Sequence, residues 1–107
     1  MKIKKLIFVL TFLSFLIFAS CQQKRAYDPV KACIDLCNEV KDKVDLSNGP
    51  CLSDAYEYEI PDWVCDVAHW PRQPVDNLPQ NQCKAYREGK AHHFVEVDPN
   101  CKFIRKY

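Results

Sequence analysis

The chain has 107 residues, of which 48% are hydrophobic and seven are Cys, and its formal net charge at pH 7 is +1. A chain of this length forms one small domain and not several. The near-balance of charge excludes a strongly basic nucleic-acid-binding protein, and the hydrophobic content excludes a disordered acidic tail.

The first 20 residues differ in composition from the rest of the chain. Three Lys precede a mainly hydrophobic run of 14 residues, Leu6 to Ala19. That length is typical of a signal peptide, whereas a helix that spans a bilayer needs about 20 residues. The sequence predicts a signal peptide over residues 1–20, an attachment and tether segment over 21–27, and a folded domain over 28–107.

Cys21 follows this run directly. The sequence Phe18-Ala19-Ser20-Cys21 resembles the lipobox of bacterial-type lipoproteins, in which the Cys becomes the lipidated first residue of the mature chain. The resemblance implies attachment to the extracytoplasmic face of the cell membrane through lipid on Cys21. Plain secretion and a retained N-terminal membrane anchor are the alternatives. Ordinary cleavage is less favoured because Phe18 stands where a small residue is typical.

The remaining Cys residues indicate a disulfide framework. An exported domain this small usually needs covalent cross-links. Zinc is the alternative, but its ligands usually come in pairs two to four residues apart, and only Cys33 and Cys37 are that close. The predicted disulfide-bonded residues are Cys33, Cys37, Cys51, Cys65, Cys83 and Cys101.

A helix is predicted to begin at Pro29, capped by Asp28, and to end near Asn48-Gly49-Pro50. Its hydrophobic residues recur at spacings of three and four, which places Cys33 and Cys37 on one face. Two Cys that project in parallel have poor geometry for a mutual disulfide. Each is therefore expected to link the helix to another part of the domain.

Residues 50–82 contain five of the seven Pro and are predicted to form mainly an ordered loop. One or two helical turns are expected from Pro61 to His69, with Trp63 facing the core. The stretch from Trp70 to Pro79 is expected to be extended.

The last segment is predicted to form three antiparallel strands, over residues 83–87, 91–97 and 101–106, because turn sequences separate them. Cys83 and Cys101 would then lie on opposite outer strands, too far apart to bond. The simplest pairing joins each of them to a helix Cys and leaves Cys51 with Cys65. The predicted fold class is α+β: a small disulfide-stapled domain with one N-terminal helix, a Pro-rich loop region and a C-terminal antiparallel β-meander.

Several short segments together resemble uncharacterised small exported Cys-rich proteins of archaea. The resemblance implies export and assigns no catalytic residue. The segments are Gly49-Pro50-Cys51-Leu52-Ser53-Asp54, Pro61-Asp62-Trp63-Val64-Cys65-Asp66-Val67-Ala68-His69, Pro71-Arg72, Val75-Asp76-Asn77 and Ala91-His92-His93-Phe94-Val95-Glu96-Val97.

A metal site is the second hypothesis. His69, His92 and His93, with Asp66 or Glu96, could bind a metal ion in an exported protein. Adjacent residues of a strand point to opposite faces, so His92 and His93 cannot share one ion without a bulge. The leading prediction therefore contains no metal and no cofactor.

Catalysis is not predicted, because the thiols are expected to be oxidised and Ser47 and Ser53 lie in no nucleophile motif. A loop that presents Arg72 to a protease is a third hypothesis. The leading prediction is a lipid-anchored or secreted binding or structural module. Its candidate binding residues are Trp63, Trp70 and Arg72, types enriched at binding hot spots. The expected partners are the membrane, through lipid on Cys21, and an unknown protein or peptide, but no nucleic acid.

Overall fold

The computed structural model describes residues 27–107. The predicted signal peptide and the predicted lipidation at Cys21 lie outside the described residues. Within them, the helices are α1 (Pro29–Val40), α2 (Leu52–Ala55) and α3 (Lys84–Arg87), and the strands are β1 (Trp63–Val67), β2 (His93–Val97) and β3 (Phe103–Lys106). Short 3-10 turns lie at Leu46–Asn48, Pro74–Asn77 and Pro79–Asn81. This arrangement confirms the α+β class. No helix between residues 27 and 107 is both long enough and apolar enough to cross a bilayer.

Helix α1 begins as its sequence predicts. The Asp28 side chain accepts hydrogen bonds from the amides of Val30 and Lys31, at 3.0 and 3.3 Å, and Pro29 occupies the first helical position. The helix ends at Val40, so the prediction that it continues to Asn48 was wrong. Asp45 caps the 3-10 turn that follows, and its side chain accepts the amide of Ser47 in place of a helical bond.

The three strands form one mixed sheet in the order β1-β2-β3. The predicted antiparallel pairing of β2 with β3 is confirmed. The third strand is not residues 83–87, which form α3, but β1, which runs parallel to β2 with Trp63 opposite His93 and Val67 opposite Val97. The helical turn predicted from Pro61 to His69 is therefore wrong.

One face of the sheet packs against α1. Alternation along the strands places Cys65 and Val67 of β1 on this face with Val95 and Val97 of β2, and each is at most 1% exposed. The buried side chains of α1 that meet them are Cys33, Leu36, Cys37 and Val40. The opposite face carries a smaller cluster, which consists of Cys51, Val64, Cys83 and Ala91.

Three disulfides cross-link the domain. They are Cys33–Cys65, Cys37–Cys101 and Cys51–Cys83. The prediction that α1 is linked twice to the rest of the domain is confirmed, as is the bond from Cys101 to the helix. The predicted partners of Cys65 and Cys83 were wrong, because β1 turns Cys65 towards α1 and Cys83 lies before α3 and not on an outer strand.

Candidate binding cleft

A cleft of about 330 Å³ opens on the face of the sheet that turns away from α1. Val64 and Asp66 of β1 and Phe94 and Glu96 of β2 form its floor, because alternate strand residues share a face. The loop after β1, helix α3 and strand β3 supply the walls. The cleft thus combines an apolar surface with two carboxyl groups.

Glu96 is the buried acid at the centre of this floor, with its side chain only 5% exposed. Arg72 Nη1 donates to one carboxylate oxygen at 3.0 Å, and Arg105 Nε donates to the other. The Arg105 guanidinium also lies over the Phe94 ring, 5.3 Å from its centroid. Both oxygens of Glu96 are satisfied, as a buried charge requires.

Arg72 is fixed by the loop that carries it. Its Nε donates to Asn77 Oδ1 at 2.8 Å and its Nη2 to the Asp76 carbonyl at 3.1 Å, in addition to the bond with Glu96. Arg72 therefore lines the cleft, and its role in binding stays a prediction. The guanidinium is bound to acceptors of its own domain, so Arg72 is not presented as the free side chain that the protease-inhibitor hypothesis requires.

Asp76 is buried beneath the loop that carries Arg72 and fixes its conformation. Its carboxylate accepts the amides of Gln73 and His69 at 2.9 and 3.1 Å and lies 2.8 Å from His69 Nδ1. Burial raises the pKa of Asp76, but these hydrogen bonds outweigh it and hold that pKa below its ordinary value. The loop is thereby fixed around a charged carboxylate, and Arg72 keeps its place in the cleft wall.

Asp66 is the second acid of the floor, directly opposite Glu96 in the β1–β2 register. Its Oδ1 atom is buried and has no hydrogen-bond partner within the described residues. Burial, and secondarily the charge of Glu96, raise the pKa of Asp66 to about 8, although Arg72 opposes the shift. Asp66 is therefore protonated at neutral pH and can donate a hydrogen bond.

The charge of the cleft is positive at neutral pH. Arg72, Arg87 and Arg105 line it, against the single charge of Glu96, because Asp66 is neutral. Arg87 is exposed and makes no salt bridge with another residue of the part of the chain that the structure describes. Its guanidinium is available to an anion that enters the cleft.

A second, more open groove lies beside the cleft and shares Tyr86 with it. Its other lining residues include His92, His93 and Tyr107. Tyr86 meets the Phe94 ring edge-on at 5.1 Å, which joins the two depressions through aromatic side chains. An apolar portion of a ligand can extend from the cleft across this surface.

The other two predicted binding residues do not line the cleft. Trp63 stacks on His93 on the α1 side of the sheet, with centroids 4.7 Å apart. Trp70 is 78% exposed. Trp70 is therefore an isolated apolar surface group near the loop, whereas Arg72 belongs to the cleft.

The three-His metal hypothesis is not compatible with the sheet. Because β1 and β2 are parallel, His69 follows the carboxyl end of β1, whereas His92 and His93 lie at the beginning of β2. Both of the latter contact Asp62, through His92 Nδ1 at 2.6 Å and His93 Nε2 at 3.5 Å. His92 precedes β2, so the alternation of side chains along the strand does not apply to it.

Within residues 27–107, one cluster of three side chains has metal-ligand spacing, Cys51, Asp66 and Cys83. The two sulfurs are bonded to each other in a disulfide, so neither is the thiolate that a metal needs. This cluster is therefore not a metal site in the oxidised protein.

Sequence reasoning named Asp66 and Glu96 only as possible metal ligands and missed their place in a cleft. The alternation of Phe94 with Glu96 along a predicted strand was a usable signal. Asp66 would have joined them had Trp63-Val64-Cys65-Asp66-Val67 been interpreted as a strand.

No family model, no curated protein and no solved structure matches this chain.

Proposed function

We propose that this protein is an exported binding module whose cleft holds an organic anion with an apolar portion. The observation that carries the proposal is the position of the Arg87 guanidinium, which makes no salt bridge within residues 27–107, beside a floor of Val64 and Phe94. A ligand pocket typically combines such an apolar surface with a few placed polar groups.

The polar groups favour a carboxylate. A guanidinium matches the planar geometry of a carboxylate and can bind both of its oxygens. Protonated Asp66 adds a hydrogen-bond donor, and Glu96 is already neutralised by Arg72 and Arg105 and so repels an anion less than a free carboxylate would. The cleft therefore attracts an anion without first losing an internal ion pair.

The first test of this function uses phenylacetate and its neutral counterpart phenylacetamide, titrated separately into the full-length protein. Phenylacetate is expected to bind the tighter of the two and to shift the NMR signals of Phe94 and Tyr86. Arg87→Gln should weaken phenylacetate binding about fivefold, the scale of one exposed charge pair.

Lys84→Gln is the matched control, because Lys84 is an exposed cation on the same short helix and does not line the cleft. It should leave phenylacetate binding unchanged. Equal binding of the acid and the amide, or equal losses in the two variants, would contradict the proposed site.

The three disulfides in so small a domain are typical of proteins in oxidising, extracytoplasmic compartments. We further propose that lipid on Cys21 tethers the domain to the extracytoplasmic face of the membrane. The support is the lipobox resemblance of Phe18-Ala19-Ser20-Cys21 and its position directly after the hydrophobic run. A domain tethered in this way would lie outside the cytoplasm, where its cleft would meet extracytoplasmic ligands.

Replacing Cys21 with Ser should abolish lipid attachment and move the protein from the membrane fraction to the soluble fraction, or stop its processing. Intact mass of the extracted protein reports acylation and cleavage together. Ser20→Ala is the control, because a small residue is kept beside Cys21. An unmodified Cys21 in a protein that still partitions into membranes would reject lipid anchoring.

A further inference from the structure

The Cys51–Cys83 disulfide has different surroundings from the other two. Cys33–Cys65 and Cys37–Cys101 lie in the main core between α1 and the sheet. Cys83, by contrast, lines the cleft, so this bridge borders a space that an external molecule can enter.

A carboxyl group lies beside this disulfide. One carboxyl oxygen of Asp66 and the two sulfurs of Cys51 and Cys83 all lie within 4.8 Å of one another. The carboxyl keeps hydrogen-bonding capacity, because its Oδ1 atom has no partner in residues 27–107. A proton donor is thus adjacent to a bond that releases a thiolate when it is cleaved.

The surroundings also accommodate the reduced form. The Cys65 carbonyl oxygen lies 3.7 Å from Cys51 Sγ and 3.6 Å from Cys83 Sγ. Disulfide sulfurs have no proton to donate, but each thiol formed by reduction would find this acceptor in reach. The two thiols therefore need no large rearrangement to be satisfied.

We infer that Cys51–Cys83 is a thiol–disulfide exchange site that opens towards the cleft, with Asp66 as the group that protonates the departing sulfur. The co-reactant is an external dithiol. This site shares Asp66 with the proposed anion site but does not need Arg87. Unchanged phenylacetate binding in Arg87→Gln would therefore contradict the anion site and leave the exchange site standing.

The exchange runs in two displacements. A thiolate of the dithiol attacks the sulfur of Cys83, the cysteine of this bridge that lines the cleft. The new S–S bond forms as the Cys83–Cys51 bond breaks, and the electron pair goes to Cys51 Sγ. Cys51 takes the proton of the Asp66 carboxyl. The second thiol of the reductant loses its proton to the Asp66 carboxylate and attacks the reductant sulfur that is bonded to Cys83. A cyclic disulfide closes and Cys83 leaves as a thiolate, which takes up from water the equivalent of the proton that the first thiol released when it ionised. Two electrons and two protons pass from the dithiol to the protein.

The protonation of Asp66 depends on charged groups from each neighbouring element. The charges of Glu96 on β2, Asp76 in the 3-10 turn Pro74–Asn77 and Asp54 on α2 favour the protonated form of Asp66. The charge of Arg72, on the loop after β1, opposes it. Burial is the largest influence, and together they raise the pKa of Asp66 to about 8. Asp66 is therefore protonated at neutral pH and has a proton to donate.

Opening this bridge leaves the main core cross-linked. Cys51 precedes α2 and Cys83 precedes α3, whereas both links from α1 to the rest of the domain belong to the other two disulfides. Reduction at this site is therefore expected to be local and to precede loss of the fold.

The test treats the natively folded full-length protein with dithiothreitol after free thiols have been blocked with N-ethylmaleimide. New thiols are trapped with iodoacetamide and located by peptide mass spectrometry. Cys51 and Cys83 should be labelled first. At pH 6, Asp66→Asn should slow their labelling at least about tenfold, since a positioned general acid commonly contributes more than that. The ratio of parent to variant rates should fall to one or below above about pH 8, where the parent carboxyl is ionised.

Asp54→Asn is the matched control, because it removes a neighbouring negative charge that also acts on Asp66 but lies outside the sulfur cluster. Its rate at pH 6 should equal that of the parent. Equal slowing in both variants, or an Asp66→Asn rate equal to that of the parent, would overturn the role of Asp66. Labelling of Cys33, Cys65, Cys37 or Cys101 together with or before Cys51 and Cys83 in the parent protein would overturn the site, whether or not a variant folds.

Discussion

Replacing Cys37 and Cys101 together with Ala is expected to remove a large part of the unfolding free energy of the domain. Their disulfide has a sequence separation of 64 residues, the largest of the three. The chain-entropy relation gives a loss of about 4 kcal/mol for a loop of that size. Domains of this class have total unfolding free energies of about 5 to 15 kcal/mol. Chemical denaturation followed by circular dichroism would measure the change.

The position of this bridge adds to the expected loss. Cys37 is 0% and Cys101 5% exposed, so the substitutions also leave a space in the core between α1 and the sheet. The same bridge ties α1 to the segment before β3, at the far edge of the sheet. Without it, β3 is held by its pairing with β2 and by its remaining packing against α1.

Cys51→Ala with Cys83→Ala is the comparison, because this bridge closes a shorter loop, with a separation of 32 residues, and lies outside the main core. We expect this variant to unfold cooperatively at a higher denaturant concentration than the Cys37 and Cys101 variant. The reverse order would show that the cleft-side bridge and not the core bridge holds the fold together.

The start of α1 was predictable because its signals are local. Asp28, Pro29 and the hydrophobic spacing act within a few residues of one another, and the structure shows the cap that they predict. The end of the helix depended on a competition between helical bonds and the Asp45 side chain, which hydrophobic spacing does not report.

Strand β1 was not predictable by the same means. Val64 packs on the cleft side and Val67 on the α1 side, so both faces of this strand are covered. Burial on both faces removes the alternation that marks a half-exposed strand, and five residues also fit a helical spacing. Its pairing with β2 joins residues 30 apart in sequence, which no local pattern encodes.

The predicted disulfide pairing was wrong because two segments, β1 and α3, were assigned the wrong secondary structure. A strand turns Cys65 to the same side as Val67 and therefore towards Cys33 on α1. Cys83, placed before a helix, reaches Cys51 on the opposite side of the sheet. The pairing follows directly once the secondary structure is known.

The candidate site was only partly predictable, because its contacts also depend on how the strands are placed. Arg72 could be chosen by residue type and by its position in a Pro-rich loop. Its partners could not, because Glu96 lies 24 residues further along the chain and meets Arg72 only when β2 is placed beside β1. Asp66 required the same parallel pairing to be seen as a buried acid beside Glu96.

Asp66→Asn should make the domain less sensitive to pH and more stable than the parent in mild alkali. Burial raises the pKa of folded Asp66 to about 8, whereas an unfolded Asp titrates near 4. Between these values the folded state holds a proton that the unfolded state has released. The parent is therefore most stable, with respect to this group, below about pH 4, and loses that stability as the pH rises towards 8.

The slope expected for one such group approaches about 1.4 kcal/mol per pH unit, so the loss across the window amounts to several kcal/mol. The Asn amide has nearly the same shape as the protonated carboxyl but cannot ionise. Parent and variant should accordingly have similar unfolding free energies near pH 4 and diverge steadily towards pH 8, with the variant the more stable. Denaturant titrations at one-unit pH intervals would resolve the divergence.

Asp76 acts in the opposite direction and is common to both proteins. Its lowered pKa stabilises the fold above the pH at which an unfolded Asp titrates, and that contribution is lost as the pH falls through the folded pKa of Asp76. The acid limb should therefore be the same for parent and Asp66→Asn, and only the limb between about pH 4 and 8 should differ. Parallel curves over that interval would mean that Asp66 ionises in the folded protein as easily as in water, and that the cleft floor does not hold a neutral carboxyl.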